Sequence, residues 1–347
     1  VQMSRTQPNS KEKEQPLSST GQLIGNVLGI ETSCDETSAG VVGAGGVLSD
    51  IVHTQTIHEK YRGVVPELAS RAHAEKLASV VAEALEEAGI ERPDAVAATA
   101  GPGLIGAVLV GLSFGKALAS GWGVPFVGVN HLEGHLLSPM LEDPAPEFPF
   151  IGLLVSGGHT TIYHACSFGN YEVLSTTVDD AAGEAFDKVA RVLGLPYPGG
   201  PHIDRLAAKG DPEAIGFPRP RAKGDNMSFS GLKTAVRNYA LKPNPDTHEN
   251  IAASFQEAVI DVLRDRVMRA VKKTGVTTVA ISGGVAANSG LRSAFSALDG
   301  ITVFLPPRSR CTDNASMIAH AGRLRLLAGD RGGPETGSRS NWQLDKL

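Results

Sequence analysis

Cysteine is scarce in this chain. Three occur in 347 residues, Cys34, Cys166 and Cys311, and no two are close in sequence. That spacing indicates neither a disulfide framework nor a thiolate zinc site, and a reducing cytoplasm is the natural setting. An apolar leader is also missing. Residues 1–25, VQMSRTQPNSKEKEQPLSSTGQLIG, contain no hydrophobic core and do not read as a secretory signal. The interleaved Lys11, Glu12, Lys13 and Glu14 do not suit an acid-poor transit peptide, and a disordered extension is expected there. The longest uncharged run, AVAATAGPGLIGAVLVGLSFG at 95–115, is long enough to raise a membrane span. Its small residues and central Gly-Pro-Gly fit a buried strand, a turn and a buried helix instead, so no membrane is expected.

The length suggests two domains or one large one. A hydrophobic content of 41% and a charged content of 20% are ordinary for a soluble globular enzyme. The net charge of −5 conceals an asymmetry. Residues 1–200 carry 11 basic and 23 acidic side chains, whereas residues 201–347 carry 21 and 14. Uneven scatter and a polyanion-binding face both produce such a distribution. The basic residues gather in FPRPRAKGDNMSFSGLKTAVR and RDRVMRAVKK, which tips the balance towards nucleic acid.

From residue 26 the pattern predicts three strands, NVLGIETS, SAGVVGA and VLSDIVHTQ, then a helix at about 66–88. Strand 94–99, helix 104–120 and strand 125–129 follow. A similar order restarts at 150 with FIGLLVSGG, TTIYHAC and YEVLSTT, then helices from about 181 to 274. Strand 277–282, helix 288–298, strand 301–305 and helix 312–328 complete the pattern. The repetition predicts an α/β fold with a duplicated lobe at 26–149 and 150–328, a helical insertion at about 181–274, and a tail at 329–347. Two hairpin-plus-strand units with polar or glycine-rich turns resemble the actin, sugar-kinase and heat-shock-chaperone superfold, with a nucleotide in the cleft between its two lobes.

Six segments carry chemistry. In VGVNHLEGHLLSPML, His131 and His135 lie four apart and share a helix face. A packed or solvated helix face and a metal pair both fit. The zinc-protease pattern does not, because Leu132 stands where its glutamate belongs and Glu133 is one residue out of phase. In RCTDNASM, Thr312, Asp313 and Asn314 open the final helix, as an N-cap or with Asp313 as a third ligand. Two histidines and a carboxylate leave coordination positions open and suit Fe(II), with Zn(II) as the alternative. SGGVAANSGLR at 282–292 and LLVSGGHTT at 153–161 place glycine pairs at strand ends, where backbone approaches a nucleotide closely. In VDDAAGEAFDKVARVLGLPYPGGPHID, Glu184 and Lys188 are spaced for an ion pair, while Asp187 and Asp204 suit ribose or amino-acid hydroxyls. Asp35 and Glu36, at the first hairpin tip, read as a solvated pair, a general base, or a Mg(II) contact alongside a nucleotide.

Taken together, GIETSCDETSAGVV, GGVVPELASRAH, TAGPGL, NHLEGHLLSPMLED, LLVSGGHT, DDAAGEAFDKVARVLGLPYPGGP, FSGLKTAV, SGGVAAN and CTDNASMIAHAG resemble the TsaD family, once misnamed O-sialoglycoprotein endopeptidase. The resemblance runs from about 26 to 328. It implies transfer of threonylcarbamoyl from threonylcarbamoyl-adenylate to N6 of adenosine 37 in tRNAs reading codons that begin with A. It implies one metal per subunit on His131, His135 and Asp313. It also implies an adenylate site at Leu154, Val155, Ser156, Gly157, Gly158, Asp187, Gly200, Asp204 and Asn288. TsaB and TsaE type proteins are the implied partners. A noncatalytic scaffold of this fold has no need of the histidine–aspartate set, a peptidase lacks its base, and a sugar-kinase-like activity would show as ATP-dependent phosphorylation.

Overall fold

The computed structural model describes residues 24–347 apart from Arg62 and Asn244. Residues 1–23 of the expected N-terminal extension lie outside the described residues. Ile24, which fell within that extension, is instead buried in the core.

Two five-stranded sheets repeat one plan. In the first, β1 (Val27–Glu31), β2 (Glu36–Gly43) and β3 (Gly46–Thr54) form an antiparallel meander. Beside β1, β4 (Ala95–Gly101) and β5 (Phe126–Asn130) add in parallel, giving the order β3-β2-β1-β4-β5. In the second, β6 (Phe150–Val155), β7 (Thr160–Ser167) and β8 (Asn170–Thr176) form the meander, with β9 (Thr278–Ser282) and β10 (Thr302–Phe304) parallel to β6. The duplication expected from the strand pattern is present.

Strand parity divides the core into layers. Along β1, Leu28 and Ile30 point to one face, where they meet α1 (Pro66–Glu87) and α2 (Ile105–Trp122). Val27, Gly29 and Glu31 point to the other. The same alternation sends Ala97 and Val129 inward, and Val96 and Ala98 outward. Between the two sheets lie α3 (His131–Leu137) and α9 (Ala315–Leu327), packed on residues of both, among them Val127, Phe150, Leu154 and Ala280. The far face of the second sheet is covered by α4 (Ala182–Val192), α5 (Gly200–Ala207), α6 (Ser230–Ala240), α7 (His248–Thr274) and α8 (Ser289–Ser296). Each fully buried aliphatic or aromatic side chain in these layers contributes about 1.5–3 kcal/mol.

The layers do not follow the order of the chain. Helix α9 was assigned to the second lobe by its position in the chain, yet it packs on the first sheet, against β1, β2 and β4. Element order does not reveal which sheet a helix covers. Helix α2 is the one described helix long and apolar enough to span a membrane by length and composition. Its Val108, Gly111, Leu112 and Gly115 face is buried, while Ile105 and Leu109 are exposed, so the expected buried helix is buried on one side only. The tail after 328, which matched no motif, is a strap. Gly332 N–H donates to Phe126 O and Arg339 N–H to Ala100 O, and Leu344 is buried.

A buried ion pair joins the two central helices. Glu133, with no exposed surface, accepts from Arg325 Nε at one oxygen and from Tyr171 Oη at the other. Burial raises the Glu133 pKa and the Arg325 guanidinium opposes that rise. Removing the cation strands a buried carboxylate, so Arg325→Ala is expected to cost about 3–5 kcal/mol at neutral pH in denaturant unfolding. Because Glu133 then binds a proton more tightly folded than unfolded, the deficit should shrink as pH falls through the carboxylate range. Glu133→Gln in the same background should recover part of it.

Candidate active site

Helix α3 begins where β5 ends. Asn130 caps it, accepting from Leu132 N–H at 2.9 Å and from Glu133 N–H at 3.4 Å. Its Nδ2 donates to Trp342 O, so the strap fixes the cap's amide. Every residue of α3 is buried. One helical turn places His131 and His135 side by side, with ring centroids 4.7 Å apart and planes at 86°. Glu133 points away into its pair with Arg325, which removes it from the histidine face as its phase predicted.

Asn314 is the N-cap of α9, accepting from Met317 N–H at 3.0 Å. Of the two sequence alternatives for this segment, Asn314 takes the cap, and the Asp313 carboxylate meets the histidines. Asp313 Oδ1 lies 2.9 Å from His135 Nε2 and 3.7 Å from His131 Nε2. With bonds near 2.1 Å, two ligands of one ion lie up to about 4.2 Å apart, so both separations suit a shared cation. The three residues' ligand atoms all fall within 4.8 Å of one another. Residues 178 apart in sequence therefore converge on one point.

The electrostatics are those of a charged, dry cluster. Burial disfavours the Asp313 anion, but His131 and His135 outweigh it and hold its pKa well below the usual carboxylate range. Burial likewise opposes charging of His131, yet Glu31 and Asp313 push its pKa up to about 9. His135 Nδ1 is buried with no hydrogen-bond partner, so that ring is held through Nε2 alone. The donor set and this one-sided imidazole fit a divalent ion. Asp35 and Glu36 are half-buried where the chain turns from β1 into β2. Burial, then the Asp313 and Asp35 carboxylates, raise the Glu36 pKa well above its ordinary value.

The two glycine turns stand together. Gly283 follows β9 with φ +93°, against the end of β6. A Cβ there would sit 2.5 Å from Val155 O. Ser156 N–H donates to His159 O, and Gly183 N–H at the start of α4 donates to Ser156 O. Gly157 and Gly158 are exposed, with open space where side chains would begin. Leu154 and Val155 are fully buried, so only their main chain is available to a ligand. Asp187 accepts from Gly199 N–H at 2.7 Å. Gly200 opens α5, again with free space beside it. Asp204 accepts from both Ser289 N–H and Ser289 Oγ, at 3.1 and 2.6 Å. Asn288 caps α8 and donates to Gln256 Oε1. These polar residues thus already support the turns on which they sit.

Other expectations resolve simply. Lys188 pairs with Glu184 at 2.7 Å and also with Asp180. Several of the basic residues after 200 are held in local ion pairs. Arg219 and Arg264 pair with Asp261, Arg266 and Arg269 with Asp265, and Lys233 with Asp180. Two residues near the centre went unnoticed in the sequence. His159 faces the cluster, and burial followed by the charges on His131 and His135 pushes its pKa down to about 4. Glu31 bonds to His131 Nδ1 at 2.9 Å. Its signal was an acid closing the apolar strand VLGIE.

Known proteins resemble this chain in family and in fold. The family model described as TsaD: tRNA N6-adenosine threonylcarbamoyltransferase matches residues 46–320. A protein of that name from Anaeromyxobacter dehalogenans (strain 2CP-C) is 53% identical over 331 residues, covering 92% of this chain and 99% of the relative. One from Geobacter sp. (strain M21) is 51% identical over 334 residues, covering 92% and 97%. Among solved structures, HypF from T. kodakarensis aligns with TM-score 0.62 at 16% identity, over 91% of this chain and 49% of that one. Component A of (R)-2-hydroxyglutaryl-CoA dehydratase from Acidaminococcus fermentans aligns with TM-score 0.52 at 16% identity, over 87% and 99%. Those likenesses carry the fold, a duplicated actin, sugar-kinase and chaperone type. The family match and the relatives at about half identity carry more: this chain belongs to the TsaD family, the tRNA N6-adenosine threonylcarbamoyltransferases.

Proposed function

We propose that this enzyme transfers threonylcarbamoyl from threonylcarbamoyl-adenylate to N6 of adenosine 37 in tRNAs reading codons that begin with A, releasing AMP, with a metal on His131, His135 and Asp313. The observation that carries the reading is the meeting of those three side chains next to the first hairpin tip. Fe(II) is the preferred ion and Zn(II) the alternative. When bound, it supplies a Lewis acid that polarises the carbamoyl carbonyl. Mg(II) accompanies only a nucleotide.

The chain's own residues do the rest. Main-chain N–H groups of Gly157 and Gly158 face the adenylate phosphate and stabilise charge on the departing AMP, while the Ser156 N–H holds the turn through His159 O. Asp187, Gly200, Asp204 and Asn288 border the nucleoside, three of them through groups that also hold turns. The exocyclic amine of adenosine is a weak nucleophile, so alignment matters, and good alignment lowers a barrier by roughly 7–11 kcal/mol. Of the two candidate bases, Glu36 is preferred, because burial and the Asp313 and Asp35 carboxylates raise its affinity for a proton. The same reading has tRNA as the polyanionic substrate, TsaB and TsaE type proteins as partners, and the cytoplasm as the compartment.

His135→Ala tests the centre. Metal content measured after anaerobic preparation and modification of unmodified tRNA should both be lost, with the far-ultraviolet spectrum of the wild type retained. Undiminished modification by the metal-free variant would refute the role. Glu36→Gln should lower kcat by about 10²–10⁴ at unchanged metal content. An unaffected kcat would transfer the proton to Asp35. Asp204→Ala should weaken substrate binding and also destabilise the free protein by about 1.5–3 kcal/mol, since it removes charged hydrogen bonds to Ser289. A residue serving the ligand alone would leave the unliganded melting temperature unchanged.

A further inference from the structure

Glu31 ends β1 on the inward parity shared by Val27 and Gly29, where an apolar side chain would pack without desolvating a charge. It has no exposed surface. Its Oε1 accepts from Ser33 N–H, and its Oε2 accepts from Thr99 Oγ at 2.6 Å and from His131 Nδ1 at 2.9 Å. Among the described residues its one ion-pair partner is His131. Among the described residues neither lysine nor arginine pairs with it. The opposite ring edge of His131 faces Asp313 Oδ1. The two histidines are therefore unequal: His131 is backed by a carboxylate, while His135 Nδ1 has no partner.

We propose that Glu31 is a positioning residue for the metal centre. By accepting from Nδ1–H it fixes the His131 tautomer and ring plane, so that Nε2 presents its lone pair to the ion shared with His135 and Asp313. Ser33 and Thr99 orient the carboxylate in turn, extending the support from the ion into β4. This rests on the metal reading above.

Glu31→Gln separates charge and acceptor geometry from volume. A glutamine has one acceptor oxygen for a site with three donors. If that oxygen serves Ser33, the amide group faces His131 Nδ1 and demands the opposite tautomer. If it serves His131, two N–H donors confront each other at Ser33.

The test titrates metal-free full-length protein with Co(II), reading both the dissociation constant and the visible absorption bands. Glu31→Gln should weaken Co(II) binding by about 10–100-fold and shift the bands. Thr99→Val removes one of the bonds that orient the carboxylate but leaves the Glu31 charge and its acceptor oxygens in place, and should weaken Co(II) binding by less than Glu31→Gln. Equal affinity and identical bands in wild type and Glu31→Gln would overturn the inference and leave the metal reading standing. Failure of wild type to bind Co(II) would overturn both. Should Glu31→Gln not fold, Glu31→Asp, which keeps the charge but withdraws it by one methylene, should still weaken binding, and wild-type affinity there would be equally fatal.

Discussion

Backbone pressed on backbone, where α9 crosses β1, is the constraint from which the active site follows. A Cβ at Gly29 would lie 2.2 Å from Ala315 O and 2.6 Å from Ala319 N. No rotamer relieves such a contact, because the atoms met are main chain. The approach places Asp313, two residues before Ala315, beside Glu31, two residues beyond Gly29 on the same strand face. Ser38 Oγ accepts from Ala315 N–H and Asp50 from Ser316 N–H, so the first turn of α9 is pinned to β2 and β3 as well. An aspartate on a loose loop would be a poor ligand. Here its position is inherited from a sheet.

The histidine side is built with similar economy. Parallel β5 delivers the chain to Asn130, whose single side chain caps α3 and is itself held by Trp342 of the strap. The Glu133–Arg325 pair then ties α3 to α9 from the face opposite the ligands. A buried pair of this kind is weak evidence for net stability, since desolvation offsets much of the attraction. Its evident consequence is registry. Two helices carrying three ligands cannot slide past one another without separating a buried charge from its counterion.

Most of this framework was legible. Short apolar runs at VLGIE and AVAATAG marked the strands, and four-residue spacing put His131 and His135 on one face. The off-phase Glu133 does lie away from the histidine face, though its partner Arg325, 192 residues away, had no signal in spacing. What sequence could not supply was tertiary assignment: which sheet α9 covers, that Asn314 rather than Asp313 caps it, or that the unmatched tail reaches Asn130. Each depends on a contact between distant segments, and a periodicity is silent about its partner. Glu31 was missed because an acid at a strand end is ordinarily solvated. Only the parity of Gly29, read together with α9, sends it inward.

Charge balance connects these pieces to chemistry. Glu31, Asp35, Glu36 and Asp313 gather around two imidazoles, and no lysine or arginine is paired with Glu31 or Asp313 among the described residues. The mismatch is visible in opposite displacements. Asp313, in contact with the imidazoles, has its pKa driven down, while Glu36, with burial and carboxylates around it, has its pKa driven up. A cluster of that composition is poorly satisfied by protons alone, because each proton that quiets Glu36 leaves the remaining anions dependent on two histidines. A divalent cation between His131, His135 and Asp313 would neutralise the excess at its source and free the histidines from charging. A bound cation would also offset part of the negative field that raises the Glu36 pKa. The negative field at the hairpin tip thus supports both halves of the proposed mechanism, the metal that activates the carbonyl and the carboxylate that takes the proton.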